Sequence, residues 1–237
     1  WASIPLANFH GIELTDFGAE TAKLALFIAE YQANAAMAEA FGATAHSLPL
    51  RDGGHVRCEN ALALDWEDVC SPANGDQSIF IAGNPPWVWS NDLTPSQKAD
   101  VKNVFQGRLR SYKTLDYVAC WFMKLANYVS AHDCSGALVA TNSISQGQTV
   151  PYLWPYLLDQ GVEIRFAHTT FKWSNNAAKN ATVDAVIIGL APQHGTEKQL
   201  FDENVLRTCS VISPYLIPNI DVVVHKSSKP LFHLPEM

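Results

Sequence analysis

Two strongly apolar segments late in the chain lie too close together to pair in any way other than as a hairpin. EIRFAHT (163–169) and ATVDAVIIGLA (181–191) have the composition of buried strands, and eleven loop-like residues separate them. A parallel return to the same sheet needs a crossover of a dozen or more residues, usually a helix. The spacing therefore predicts an antiparallel hairpin.

Upstream of this hairpin, strand-like and helix-like segments alternate. Predicted strands lie at 7–14, 55–64, 78–83 and 136–143. Predicted helices lie at 15–42, 95–107, 114–132 and 148–160; Thr15 or Asp16 caps the first, and Gly42 stops it. Such alternation indicates an α/β fold with a Rossmann-like, doubly wound sheet, mostly parallel and with one reversed strand from the hairpin.

Composition limits the class of protein. Hydrophobic residues make up 48% of the 237 residues and charged residues 16%, so a sizeable core is expected. No apolar run is long enough to span a bilayer, no secretory signal opens the chain, and the five cysteines lack zinc spacing. We expect a cytoplasmic protein without a metal. The net charge of −7 does not by itself favour nucleic-acid binding.

The third predicted strand ends in GNPPW (83–87). Ligands of open α/β sheets bind beyond the carboxyl ends of the strands, which is where Asn84 falls. Pro85 and Pro86 fix the backbone and donate no N–H, but their carbonyls still accept hydrogen bonds. The Asn84 amide oxygen and a neighbouring carbonyl thus suit a planar NH₂ group, and Trp87 offers a face for a flat ring. The alternative is a plain proline turn capped by a core tryptophan.

GNPPW resembles the (D/N)PP(Y/F/W) signature of amino-group methyltransferases that use S-adenosylmethionine. The wider chain resembles the MmeI-like restriction–modification methyltransferases. The matching segments are FHGIEL, ENALALDW, IAGNPPW, LDYVACWFMKLANYV, GALVATNSISQGQTV, FAHTTFKWSN, SPYL and SKPL. The resemblance implies a class I methyltransferase sheet, double-stranded DNA as partner, and adenine N6 as the methylated atom, with Asn84, Pro85, Pro86 and Trp87 as the catalytic motif.

The resemblance also implies a cofactor site. Glu13 and Leu14 follow the first strand, where a carboxylate can accept from both ribose hydroxyls; the alternative is that Glu13 caps the next helix. Asn60 and Ala61 end the second strand, near the position where the family contacts the cofactor adenine; Asp65 is the competing candidate. Asp116 opens the helix that lines the family's cofactor pocket, or serves only as an N-terminal helix charge.

Related adenine methyltransferases stack an aromatic residue of the hairpin loop on the extruded base. In loop 169–180, Phe171 is the first candidate and Trp173 the second, and either could sandwich the ring with Trp87. Lys172 and Lys179 of this loop either meet phosphates or are solvated.

The family's first strand and its glycine-containing cofactor loop have no match in this sequence and would precede Trp1. We therefore predict a partial catalytic domain at 1–195 and a connector at 196–237 toward a target-recognition domain, both within a larger polypeptide. Two alternatives remain: methylation of RNA or of a protein glutamine, and an inactive scaffold fragment.

Overall fold

The computed structural model describes residues 4–42, 54–71, 78–173, 182–203 and 205–225. They form two compact units, Trp1–Pro72 and Ala73–Met237. None of the helices in these ranges has the length and apolar character needed to span a bilayer.

The first unit is a helix beside a two-stranded parallel sheet. Strands β1 (His10–Glu13) and β2 (His55–Cys58) pair with Glu13 opposite Cys58, and α1 (Asp16–Phe41) lies between them in sequence. The Thr15 side chain accepts the Gly18 N–H and Gly42 adopts φ 68°, so both predicted ends of this helix are confirmed.

The second unit is built on a six-stranded sheet of order β3-β4-β6-β5-β7-β8. The strands are β3 (Phe80–Gly83), β4 (Ser135–Thr141), β5 (Val162–Trp173), β6 (Val183–Pro192), β7 (Lys198–Asp202) and β8 (Val205–Cys209). The helices are α2 (Pro95–Phe105), α3 (Ala119–Ala131) and α4 (Thr149–Leu158). The predicted α/β fold and the antiparallel β5–β6 hairpin are confirmed.

The expectation of a mostly parallel sheet is wrong for the described strands. In the six-stranded sheet, β3–β4 and β5–β7 are parallel, whereas β4–β6, β5–β6 and β7–β8 are antiparallel. The short β5–β6 connection forces β6 to reverse, and β6 then inserts between β4 and β5. The tail adds a second reversal, because β7 and β8 form a hairpin within 198–209, inside the region predicted to be a connector.

The core of the second unit lies between the sheet and its helices. Helix α3 packs against β4, β5 and β6, and α4 packs against α3 and β5. The indole of Trp154 on α4 is fully buried, donates to the Ile144 carbonyl at 2.8 Å and packs on Phe122 of α3. The parallel ladder of β3 and β4 ends with Gly83 opposite the buried Leu138 in the middle of β4, so β4 continues three residues further.

Candidate active site

The Asn-Pro-Pro segment leaves the carboxyl end of β3 as extended, non-helical chain. Asn84 and Pro86 are exposed, whereas Pro85 between them is buried. The Asn84 side chain and the Pro85 carbonyl accept no hydrogen bond from any residue that the structure describes. The Asn84 side-chain oxygen and the Pro85 carbonyl oxygen are therefore two neighbouring acceptors at the end of β3 to which no described residue donates a hydrogen bond. Because Asn84 is exposed, the amide does not simply satisfy a buried turn.

Trp87 attaches this segment to the neighbouring strand. Its half-buried indole donates from Nε1 to the Val139 carbonyl of β4 at 3.3 Å. A small open hollow lies beside the ring and is lined by Trp87, Val88, Trp89, Asp116 and Thr141. Trp87 and Thr141, the last residue of β4, thus line one concave spot at the carboxyl edge of the sheet, the expected ligand position in this fold class, whereas Asn84 does not line it.

The segment after the motif is bound to the residues that precede α3. The Ser90 N–H donates to Asp116 Oδ1 at 3.0 Å, and the Tyr117 N–H donates to the Val88 carbonyl at 3.0 Å. Asp116 Oδ2 accepts from the Ser143 hydroxyl at 2.9 Å, at the end of β4. Asp116 therefore joins residues 88–90, which we call the motif loop, to the 3₁₀ turn that follows β4. Its predicted cofactor role stays a prediction.

A second carboxylate fixes the start of α3. The Tyr117 hydroxyl donates to Asp100 Oδ2 on α2 at 2.6 Å. Burial, then this hydrogen bond and the Asp100 charge, raise the pKa of the Tyr117 phenol well above its usual range. Burial likewise raises the pKa of the Cys120 thiol one turn further on. Both groups are protonated at neutral pH, so neither supplies a nucleophile or base next to the motif.

The two aromatic residues predicted for base stacking lie on β5 rather than in a loop. The strand extends to Trp173, so the predicted loop boundary at 169 is wrong; Phe171 pairs with Ala185 and Trp173 with Val183 on β6. Positions two apart on a strand share a face, and the two rings lie 6.1 Å apart. Ala185 also pairs with Thr141 of β4. This register brings the aromatic pair to the edge that carries the motif.

Trp173 contacts Trp87 directly. Their ring centroids are 6.0 Å apart and the planes meet at 77°, an edge-to-face arrangement. Lys172, on the opposite face of the strand, forms an ion pair with Asp184 at 2.6 Å. Lys179 lies outside the described residues. The second stacking candidate is thus the one that touches the motif tryptophan, while Phe171 contacts Trp173.

The predicted cofactor residues of the first unit gather at the carboxyl ends of β1 and β2. The Glu59 N–H donates to the Glu13 carbonyl at 2.8 Å, which holds the two ends together. The Glu13 carboxylate is exposed and lies near Gly18 in the first turn of α1, and Leu14 is 72% exposed. Asn60 Oδ1 accepts the Leu62 N–H at 3.0 Å. A carboxylate and an amide therefore lie at one sheet end.

The two remaining candidates of this region have backbone and capping contacts. The Ala61 carbonyl accepts the Trp66 indole N–H at 2.9 Å. Asp65, the competitor of Asn60, caps the short 3₁₀ helix Trp66–Asp68 by accepting the Glu67 N–H at 3.1 Å. In the described ranges, no three His, Cys, Asp or Glu side chains gather to hold a metal ion.

The sequence analysis missed three polar residues of the hydrogen-bond network around Asp116: Ser90, Thr141 and Ser143. The Ser143 hydroxyl lies 2.8 Å from the Thr141 hydroxyl and donates to Asp116. A signal for Thr141 and Ser143 was present, because polar residues directly follow the apolar strand GALVA. No sequence pattern indicated Ser90, since its partner lies 26 residues away in the chain.

These features define an α/β fold with polar side chains at the carboxyl ends of the parallel strands in each of its two units. The family model of the MmeI DNA-methyltransferase domain matches residues 1–202. The chain belongs to this family.

Two relatives show how much of a longer protein the chain represents. It is 39% identical over 237 residues to DNA methyltransferase A of Bacillus subtilis (strain 168), covering 99% of this chain and 27% of that protein. The structure of the type IIL restriction–modification enzyme MmeI in complex with DNA superposes with a TM-score of 0.89 and 38% identity, over 98% of this chain and 31% of MmeI. The chain spans about a third or less of these relatives.

Proposed function

We propose that the chain is the catalytic core of a DNA adenine-N6 methyltransferase, the modification part of a restriction–modification enzyme. It transfers a methyl group from S-adenosylmethionine to an adenine flipped out of double-stranded DNA. Family membership supports the methyltransferase class, and the GNPPW geometry supports an exocyclic amine as the acceptor. The similarity to MmeI, which was solved with DNA, supports DNA as the partner and a larger multidomain polypeptide.

The observation that carries this proposal is the pair of acceptors at the rim of β3. Neither the exposed Asn84 amide oxygen nor the Pro85 carbonyl is engaged by a described residue. An adenine amine has two N–H groups, and one can go to each oxygen. Drawing both hydrogens away concentrates the nitrogen lone pair toward the methyl carbon. The product proton leaves after transfer, so the reaction needs no strong base within the motif.

The residues of the first unit fit the nucleoside part of the cofactor. The exposed Glu13 carboxylate at the end of a parallel strand can accept from two vicinal ribose hydroxyls, and Leu14 beside it offers apolar surface. Asn60 and Ala61 at the end of β2 complete the predicted set. S-adenosylmethionine supplies, when bound, an activated methyl group on a sulfonium. Glu13 and Asn60 hold the nucleoside, and Asn84 and Pro85 hold the acceptor.

The aromatic residues at the rim suit the target ring. Flipping a base costs a few kcal/mol, and stacking on an aromatic face returns about 1–3 kcal/mol per base. In this structure the 77° angle between Trp87 and Trp173 leaves no parallel slot between the two rings. We infer that the base stacks on the face of Trp87, and that Trp173, which contacts Trp87, and Phe171, which contacts Trp173, complete the aromatic surface.

Replacing Asn84 tests the acceptor pair. In the full-length enzyme, Asn84→Ala should reduce transfer of tritiated methyl groups to unmethylated genomic DNA by at least about 100-fold, as expected when a preorganised hydrogen-bonding group is removed. Cofactor binding, measured by calorimetry, should remain near the wild-type value. Asn91→Ala, at an exposed position seven residues further on, is the matched control and should retain activity. An Asn84→Ala enzyme with wild-type turnover would refute the proposal.

The chemical identity of the acceptor needs a separate measurement. Digesting the methylated DNA to nucleosides and separating them by mass spectrometry should yield N6-methyladenine. Label found in N4-methylcytosine would exclude adenine as the target. Label transferred to RNA or to glutamine peptides in preference to DNA would exclude DNA as the substrate.

A further inference from the structure

The segment between the middle of α2 and the start of α3 is locally basic in an otherwise acidic chain. Residues 101–115 contain four cations and no Asp or Glu, whereas the chain as a whole has a net charge of −7. The four cations are Lys102, Arg108, Arg110 and Lys113. All four are exposed, and none forms an ion pair with a residue that the structure describes.

The acidic residues that flank this segment are committed to other partners. Asp100 accepts from the Tyr117 hydroxyl, and Asp116 accepts from Ser90 and Ser143. These bonds turn the two carboxylates toward the fold and the motif loop. These two carboxylates therefore do not neutralise the exposed cations of 101–115, and the positive charge of the segment can attract an anionic ligand.

The segment is held in place, so its cations have defined positions. Tyr112 stacks on the fully buried Phe105 with centroids 6.3 Å apart, and the side chain of Leu115 is 1% exposed. Tyr112–Thr114 form a 3₁₀ turn, closed by the Leu115 N–H donating to the Tyr112 carbonyl. Arg108, Arg110 and Lys113 project from this anchored loop, which lowers the ordering cost of binding.

The same loop leads directly into the candidate active site. Leu115 is followed by Asp116 and Tyr117, the two residues that hold Ser90 and Val88 after the GNPPW motif. A DNA strand that presents a flipped base to Asn84 must carry its flanking phosphates across the surface nearby. Arginine and lysine are the side chains that neutralise such phosphates.

We propose that Arg108, Arg110 and Lys113 form a phosphate clamp for the DNA strand beside the flipped nucleotide. This inference rests on the proposed function, because it takes DNA as the substrate. The clamp places the strand without reading its sequence, and it lets an acidic chain bind DNA through one local patch.

Salt dependence tests the clamp. In the full-length enzyme, KM for unmethylated genomic DNA should rise with salt, and the triple variant Arg108→Ala, Arg110→Ala, Lys113→Ala should lower the slope of log KM against log salt. Each lost phosphate contact contributes about 0.9 to the slope, so three contribute about 2.7. Between 50 and 200 mM salt the wild type should therefore lose about 40-fold more affinity than the variant. Turnover at saturating DNA should change little.

Two controls separate local charge from fold and from total charge. Arg108→Lys, Arg110→Lys, Lys113→Arg keeps the charges and should keep the slope. Lys23→Ala, Arg207→Ala removes two cations that are paired elsewhere, with Glu20 and Asp202, and should leave the slope unchanged.

Several results would overturn the clamp. A wild-type slope in the triple alanine variant would do so, as would an equal change in the Lys23/Arg207 control. If the triple variant no longer binds cofactor, the single Arg110→Ala variant decides, with an expected slope change of about 0.9. If the wild-type enzyme methylates DNA and the triple alanine variant keeps the wild-type slope, the clamp alone is refuted. If the wild-type enzyme does not methylate DNA, the proposed function is refuted.

Discussion

At the scale of single residues, the motif depends on side chains distant in sequence. Asn84 and Trp87 belong to one short segment, but Val139 and Asp116 position that segment through one hydrogen bond each. The Trp87 indole bond connects it to β4, and the Asp116 carboxylate connects it to the 3₁₀ turn that follows β4. A charge-assisted hydrogen bond is roughly twice as strong as a neutral one, so Asp116 is the more important of the two connections.

Asp116 should act as a positioning residue for the motif loop. Asp116→Ala removes the acceptors of the Ser90 N–H and the Ser143 hydroxyl, so turnover should fall about 10–100-fold, since a misplacement near 1 Å can cost 100-fold. Asp116→Asn keeps an acceptor for Ser90 and should cost only a few-fold. Steady-state kinetics with DNA and S-adenosylmethionine varied in turn checks both variants. A rise in KM for S-adenosylmethionine with unchanged turnover would instead favour the cofactor role predicted for Asp116.

At the scale of secondary-structure elements, the hairpin shows what a pattern predicts and what it misses. The short connection correctly predicted antiparallel pairing of β5 and β6. The polar composition of TTFKW (169–173) did not indicate a strand. The strand nevertheless continues to Trp173, because Lys172 pairs with Asp184 of β6 and Trp173 pairs with Val183. Pairing with a neighbouring strand thus overrides local composition.

A close approach inside this hairpin gives a test of packing. A Cβ added at Gly189 of β6 would collide with the ring of Phe166 on β5, its register partner. Gly189→Ala should therefore lower the free energy of unfolding by about 1–3 kcal/mol, as overpacked cores do. Urea denaturation measures this difference.

The double variant separates steric overlap from other effects of Gly189→Ala. Adding Phe166→Leu should recover part of the loss, so the coupling between the two substitutions should be favourable. Gly147→Ala is not a suitable control, because Gly147 has φ 56°. Gly11→Ala, where an added Cβ would meet the Val56 side chain at an ordinary distance of 3.5 Å, is the control and should show no coupling with Phe166→Leu.

At the scale of the whole molecule, the buried core is distributed unevenly. Among the described residues of Trp1–Pro72, only Ala19 and Leu62 are buried apolar residues, whereas α3 alone buries eight residues. Helix α1 leaves Phe17 83% exposed and Phe41 70% exposed. Elements with few buried apolar contacts open locally at low free energy.

Hydrogen exchange should therefore distinguish the two units in the 237-residue chain. Backbone amides of α1 should exchange at least about 100-fold faster than those of α3, because little buried surface protects them. Mass spectrometry of peptides from timed exchange measures both rates in one sample. Equal protection of α1 and α3 would contradict this prediction.

The sequence by itself determined the α/β class, the hairpin, the ends of α1 and the position of the Asn84 motif at the end of a strand. These features follow from local propensity, from capping chemistry and from the length of connections, all of which act over a few residues. Only the tertiary structure decided that β6 lies between β4 and β5, that β7 and β8 extend the sheet, and that Asp116 and Trp173 contact the motif loop and Trp87. Those contacts join residues far apart in the chain, and side-chain packing across strands selects them rather than any short pattern.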